Sequence, residues 1–470
     1  MRNFPKFIFS LNFLYIALIA AQIAAIIFLC LFIPSVLPAA ITFALIYLLS
    51  AITAAVLFVR KGTAEIKCAW FVLIVALPVA GAIIYFTATI KCKPCGILQI
   101  RAPRQTGLAG AAALTCGTTE AGYDRAEYFK SGSEFFKRLL SEISNAKKYV
   151  LLEFFIIARG HIFNALITAI ERAKENGAEV KIIFDGVGSA FKLRRKDVKR
   201  LKAAGAEVKT FHRLTPLPRA KLNLRDHRKI AVIDGKTAFT GGINIADEYA
   251  NIISPYGHWK DVGVAVYGAA AQIFEGMFYS VWKGKYEMAA PEGGKFRCLP
   301  FYDSPPYKTF CEDAFVYAIH RAQKRVHVFT PYFCVSGKTA SALQTAAMRG
   351  VDVKIILPHI PDKKYAFELS KTYAGELVPY GVKFYEYTPG FIHAKSLICD
   401  DAVFLGSYNL DYRSAHFNFE CGAAFEGNIV AEAEQDFDEC ITLSKPFTPK
   451  QPSFFGKLYR TFLTLLAPLM

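Results

Sequence analysis

DHRKIAVIDGKTAFTGGIN at residues 226–244 and IHAKSLICDDAVFLGSYN at 392–409 share one pattern, HxKxxxxD followed by GGxN or GSxN. His227 and His393 are 166 residues apart, as are Lys229 and Lys395, and Asp234 and Asp400. A lone HxK would be noise, but two extended copies at one offset require a chain built from two related halves. The flanking sequence repeats as well. KKYVLLEFFII leads through a helical-period run (Phe163, Leu166, Ile167, Ile170) to NGAEVKIIFDG, and KRVHVFTPYFCV leads through TASALQTAAM to RGVDVKIILPH. Apolar strand, helix, apolar strand implies parallel pairing with right-handed crossovers, hence an α/β fold with helices over a mixed sheet. Side chains at i and i+2 of a strand share a face, so each HxK sets an imidazole beside an ammonium. Such charges in an apolar strand are costly unless paired, so they should face a site that uses them. One difference separates the copies: six residues lie between Asp234 and Gly241 but only five between Asp400 and Gly406, a turn shortened by one.

The first hundred residues read as a membrane anchor. Residues 13–33 and 39–59 are uninterrupted apolar runs joined by PSVLP, each long enough to cross a hydrocarbon core of about 30 Å. Arg2 and Lys6 precede the first and Arg60, Lys61 and Lys67 follow the second, so the positive-inside bias predicts a hairpin with both ends in the cytoplasm. A cleaved signal peptide has a shorter apolar region and no second run behind it. A third apolar segment, 69–86, holds Pro78 and Gly81 and has lysines on both sides; an in-plane or re-entrant course keeps the remaining chain inside. Residues 101–125, rich in Gly, Ala and Thr, read as a linker to two units at 126–290 and 291–470. The second ends in an apolar tail, 454–470, suited to resting at a headgroup surface or, equally on periodicity, to packing on a core as a terminal helix.

Charge narrows the partner. The formal net charge is +17, and two regions account for it: residues 1–100 carry a net +6, and Lys192 to Lys229 a net +11. The second stretch runs into the first HxK strand, which favours an anionic headgroup or lipid surface. Eleven scattered cysteines, an odd number, suit a reducing compartment, and Cys92–Cys95 lacks the second CxxC of a zinc site.

The duplicated motif resembles the phospholipase D superfamily across essentially all of 126–470. That resemblance implies two tandem repeats of mixed sheet and helix sharing one active site. It makes His227, Lys229 and Asp234, with His393, Lys395 and Asp400, the catalytic triplets, and gives Asn244 and Asn409 to substrate binding. Lysines at the non-bridging oxygens would offset charge growing on a phosphodiester, one histidine would attack phosphorus and the other would protonate the leaving alcohol, with no metal or cofactor. The family order favours His227 as nucleophile. A carboxylate should fix each imidazole; family positions some tens of residues beyond each histidine match Asp261 in GHWKDVG and Glu420 in FNFECG. Asp234 and Asp400 lie far from their histidines along the strand and suit holding the turn.

Within the superfamily, GGINIADEY with YGHWKD, TPYF with RGVDVKIILP, GSYNLDYRS with NFE and the ending LLAPLM resemble the bacterial cardiolipin synthase family. This implies a phosphatidyltransferase that joins two phosphatidylglycerols into cardiolipin, releasing glycerol, through a phosphohistidine in an anionic cell membrane and with no nucleic acid partner. The alternative is a membrane-bound phospholipase D releasing phosphatidic acid, with water as acceptor. A nuclease would have little use for a membrane hairpin, and a non-catalytic lipid scaffold would have no need of two intact triplets.

Overall fold

The apolar strand Tyr149–Phe154 and the strand Glu179–Asp185 pair in parallel because the amphipathic helix His161–Glu175 connects them, its apolar stripe buried against the sheet. The structure is a computed structural model and describes residues 19–24, 27, 36–89, 95–101, 118–213, 223–307, 309–449 and 451–469. A second crossover helix, Arg195–Ala203, adds Ala206–Phe211 in parallel, and four antiparallel strands complete the sheet. Its order is Arg125–Phe129, Gly263–Tyr267, Thr237–Gly241, Lys229–Ile233, Tyr149–Phe154, Glu179–Asp185, Ala206–Phe211.

The second half builds the same seven in the same order: Phe296–Tyr302, Cys421–Glu426, Ala402–Gly406, Ser396–Cys399, Arg325–Phe329, Asp352–Pro358, Lys383–Tyr387. One strand is added at each edge, Ala121–Tyr123 and Ser444–Pro446. Each half has its own buried apolar core. The first added strand corrects the linker reading at its C-terminal end. Residues 118–123 are buried, and Ala121–Tyr123 pairs with the second sheet while Arg125–Phe129 enters the first, so the chain stitches the repeats together there. Residues 102–117 of the linker lie outside the described residues. The anchor boundary also moves: Ile97–Arg101 is a strand of the globular unit, paired in parallel with Lys285–Ala289.

The two motif aspartates explain how each HxK strand is held. Asp234 and Asp400 adopt left-handed backbone, φ 53° and 49°, in the turn after the strand. Each carboxylate accepts three consecutive backbone N–H groups at the start of the neighbouring strand: Lys147, Lys148 and Tyr149 for Asp234, and Gln323, Lys324 and Arg325 for Asp400. The shorter second turn leaves this clamp intact. Ile233 pairs with Thr237 across three turn residues, Cys399 with Ala402 across two.

Two short parallel pairings join the halves. Arg225–Asp226 pairs with Asn418–Phe419, and His258–Lys260 pairs with Gly390–Ile392. The second is pinned from the side by a buried ion pair, Lys260 Nζ to both Asp436 oxygens at 2.7 Å, with Tyr128 donating to Asp436 at 2.8 Å. Removing one partner of a buried pair leaves the other charge uncompensated. Lys260→Met should therefore lower unfolding free energy by about 3–5 kcal/mol, while Lys260→Met with Asp436→Leu should recover most of it; thermal melts in detergent read the difference.

The other compact unit contains the apolar N-terminal helices and the C-terminal tail. Val36–Val59, 24 residues, is the one helix among the described residues long and apolar enough to cross a bilayer. Of the span read at 13–33, residues 19–24 and 27 are helical and the rest lies outside the described residues, so the hairpin is not established. The third segment is broken at Leu77–Pro78 into Ala64–Ala76 and Pro78–Thr89, which fold against each other with Trp70 edge-on to Tyr85 at 5.3 Å. Thirteen residues reach only about 20 Å as a helix, so neither piece crosses alone. Gly81 makes the fold possible, since a Cβ there would stand 2.5 Å from the Leu73 carbonyl oxygen. The tail helix Phe454–Leu466 groups with these helices, not with the second repeat, and Leu469 packs on the cluster of Leu57, Trp70 and Tyr85.

Candidate active site

The two inter-repeat pairings deliver the motif histidines. His227 follows Arg225–Asp226, and its backbone N–H donates to Phe419 O at 2.9 Å; His393 follows Gly390–Ile392, and its N–H donates to Lys260 O at 2.7 Å. Each pairing sets a histidine of one repeat beside the residue that ends the partner strand in the other. Glu420 thereby reaches His227 Nδ1 at 2.9 and 3.0 Å, and Asp261 reaches His393 Nδ1 at 2.7 Å. The carboxylates are crossed: each serves the histidine of the opposite half, not the one it follows in the chain. With Nδ1 held by a carboxylate, Nε2 is left for chemistry on both rings.

Both imidazoles line one cavity of about 600 Å³. Lys229 and Lys395 are buried beside them, each ammonium donating to the backbone carbonyl of its own histidine, and Lys395 Nζ also lies 2.7 Å from His393 Nδ1. Burial pulls Lys229 down to about 8 and Lys395 to about 7. Burial likewise draws His227 down to about 4, against the pull of Glu420. Burial, then Lys395, Lys229 and His227, push His393 well below the usual histidine range, so the four bases sense one another. Burial raises Asp261 to about 7, whereas Glu420, also buried, is held below the usual range by His227, Lys229 and Ser407.

The remaining motif residues divide. Asn244 lines the cavity, accepting from Ile156 N–H at 3.0 Å and donating to Tyr249 Oη at 2.6 Å; Asn409 is buried but does not line it. Asp234 and Asp400 correct the catalytic grouping. Each lies five residues beyond its lysine, about 16 Å along an extended strand, with its carboxylate spent on backbone amides. They position the strand. Among the described residues there is no cluster of three or more metal-ligating side chains.

A family model described as "Cardiolipin synthase, PLD-like domain" matches residues 139–282 and 315–441. A cardiolipin synthase of Listeria monocytogenes is 31% identical over 363 residues, 73% of this chain and 75% of that protein. The chain belongs to the cardiolipin synthase family. A cardiolipin synthase of Clostridium perfringens is 31% identical over 365 residues, 73% of this chain and 76% of its own length. A Streptococcus mutans protein of uncharacterised function is 38% identical over 359 residues, covering 73% and 78%. A phosphatidylserine synthase of Haemophilus influenzae shares the fold, with TM-score 0.60 at 15% identity over 76% of this chain and 99% of that one. As a member of the cardiolipin synthase family, the protein is an enzyme of the phospholipase D superfamily.

Within this family member, GGxN and GSxN acquire separate physical reasons. A Cβ at Gly242 would fall 2.1 Å from Asp261 Oδ1, so the short aspartate needs glycine there. At the equivalent position in the second half Ser407 donates to Glu420 Oε2, and the serine becomes part of the longer carboxylate's support. Sequence reading missed this coupling, and it missed the aromatic wall: Trp259 and Tyr249 pack on His393 at 5.2 Å, and Phe155 meets His227 at 5.0 Å. The signal for Trp259 was present, two residues before Asp261 in GHWKD.

Proposed function

We propose that this protein makes cardiolipin from two phosphatidylglycerols. One observation carries the reading: two imidazoles, each fixed through Nδ1 by a carboxylate of the other repeat, line one cavity with two lysines buried beside them. His227 Nε2 attacks phosphorus of the first lipid, and the P–O bond to the headgroup glycerol breaks. His393 gives that oxygen its proton and glycerol leaves. The terminal hydroxyl of a second phosphatidylglycerol then loses its proton to His393 and attacks, and the P–N bond breaks. One phosphodiester replaces another, so no nucleotide is consumed. Lys229 and Lys395 offset the charge growing on the non-bridging oxygens, and Asn244 adds a neutral donor. Family membership supports phospholipid substrates, and Val36–Val59, followed by Arg60 and Lys61, supports membrane attachment with that end in the cytoplasm.

Purified protein given phosphatidylglycerol in detergent should yield cardiolipin and glycerol in equal amounts by mass spectrometry. Phosphatidic acid alone would select hydrolysis, and no product would defeat both.

The pH dependence follows from the shifted groups. His227, drawn down to about 4, stays neutral and nucleophilic until the pH falls through that value. Lys395 and Lys229, drawn to about 7 and 8, lose charge as the pH rises through those values. The profile of kcat/KM should thus fall below about 4. Its alkaline limb should open with loss of the proton from His393, the acid for the leaving oxygen, which burial and the neighbouring lysines hold well below the usual histidine range, before Lys395 and Lys229 lose their charge. A bound phosphodiester anion favours the protonated His393 and the charged lysines, so the alkaline limb of kcat should lie higher than that of kcat/KM. An alkaline limb at the same pH in both profiles would contradict this assignment.

A further inference from the structure

The rim of the catalytic cavity is not dressed like ordinary protein surface. Phe191, which lines the cavity, is 75% exposed, and Ile253, which also lines it, is 52% exposed beside Ile252 at 45%. These side chains come from two separate loops of the first repeat, one after Glu179–Asp185 and one after Asp247–Ala250. Large apolar side chains brought together from different loops at the mouth of a site mark an interaction surface.

The chain beyond Phe191 says what kind. Arg194, Arg195, Lys196, Lys199, Arg200 and Lys202 are exposed on the helix Arg195–Ala203 and its entry, and among the described residues none of the six forms an ion pair. The acids nearby are already engaged: Glu248 pairs with Lys192 at 2.8 Å, and buried Asp197 accepts the Arg194 backbone N–H at 2.9 Å. Apolar tips flanked by unpaired cations fit an anionic phospholipid surface, in which the tips enter the acyl boundary and the cations meet headgroups. A protein partner would have to supply both an apolar socket and a row of acids.

We propose that Phe191, Ile252 and Ile253 form a lip that dips into an anionic bilayer at the mouth of the cavity, with the cations of helix Arg195–Ala203 resting on the headgroups. The proposal rests on the reading that the substrate is a phospholipid. The lip then acts as a loading device. Phosphatidylglycerol passes from the bilayer to the two histidines without its acyl chains crossing water, and water is kept from the acceptor position.

Full-length Phe191→Trp protein, reconstituted in vesicles of phosphatidylglycerol and phosphatidylethanolamine, provides the test. Emission in excess of the wild-type background from Trp70, Trp259 and Trp282 should be blue-shifted and quenched by brominated phosphatidylglycerol. In phosphatidylcholine vesicles with brominated phosphatidylcholine, the quenching should weaken. Emission at the position of exposed indole, with no quenching beyond wild type, would overturn the lip; equal quenching in both vesicles would overturn the role of the cations. Separately, Phe191→Asp with Ile253→Asp should lower the rate on bilayer phosphatidylglycerol about tenfold more than the rate on dispersed short-chain phosphatidylglycerol. Equal falls on both substrates would overturn the lip as a loading device. If wild type makes no cardiolipin from either substrate, the chemical reading fails, while the quenching measurement still decides the lip.

Discussion

Replacing His227 or His393 with alanine should each lower phosphatidyl transfer on the order of 10⁴-fold or more, since each is asked to supply a covalent or proton-transfer step that nothing adjacent can replace. The two losses should differ in kind. His227→Ala removes the nucleophile, so no lipid should become attached to the protein with any donor. His393→Ala removes the proton source for the leaving alcohol, so it should still accept a phosphatidyl group from a donor whose leaving group needs no proton, such as a phosphatidyl p-nitrophenol. Release of one equivalent of nitrophenol by His393→Ala, and none by His227→Ala, is the expected pattern. Equal bursts would remove the division of labour.

The crossed carboxylates give the second large effect. Glu420→Gln should impair attack by His227, 193 residues away in sequence, and Asp261→Asn should impair His393, 132 residues away. By the logic of a histidine deprived of its orienting carboxylate, each should cost roughly 10²–10⁴ in kcat with smaller change in KM. The informative feature is the pairing. Glu420→Gln added to His227→Ala should cost little more than His227→Ala alone, because the carboxylate acts through that ring. Added in the same way to His393→Ala, it should slow the nitrophenol burst that the single variant retains by a similar factor. Gly242→Ser should imitate Asp261→Asn by crowding the same carboxylate, although it touches neither histidine.

Much of the fold was legible because it is written twice. Strand–helix–strand units with apolar strands could hardly build anything but parallel pairs under helices, and the shared wording at a fixed offset implied two sheets of one order. The carboxylates were legible as residues but not as partners. Nothing local reveals that Arg225–Asp226 and His258–Lys260 pair across the halves, because strands of two or three residues carry no periodicity to read. For the same reason the family spacing does not say which histidine each carboxylate serves. Residues 118–123 read as linker because a few small residues with a glycine look alike in a loop and in a short strand paired at the edge of the other repeat's sheet. The aspartates of the motif could be placed by distance along the strand, but their three amide partners belong to a strand some 75 to 87 residues earlier. The lip left no trace in the sequence, since single apolar residues in loops are ordinary until a fold brings them to one rim.

Rapid quenching during turnover of phosphatidylglycerol, followed by peptide mapping at alkaline pH where phosphoramidates survive, tests the two-histidine mechanism most directly. One phosphatidyl group is expected on the peptide containing His227 in the wild-type protein, and none on that containing His393. A covalent group on His393, or turnover with no adduct on either histidine, would contradict it.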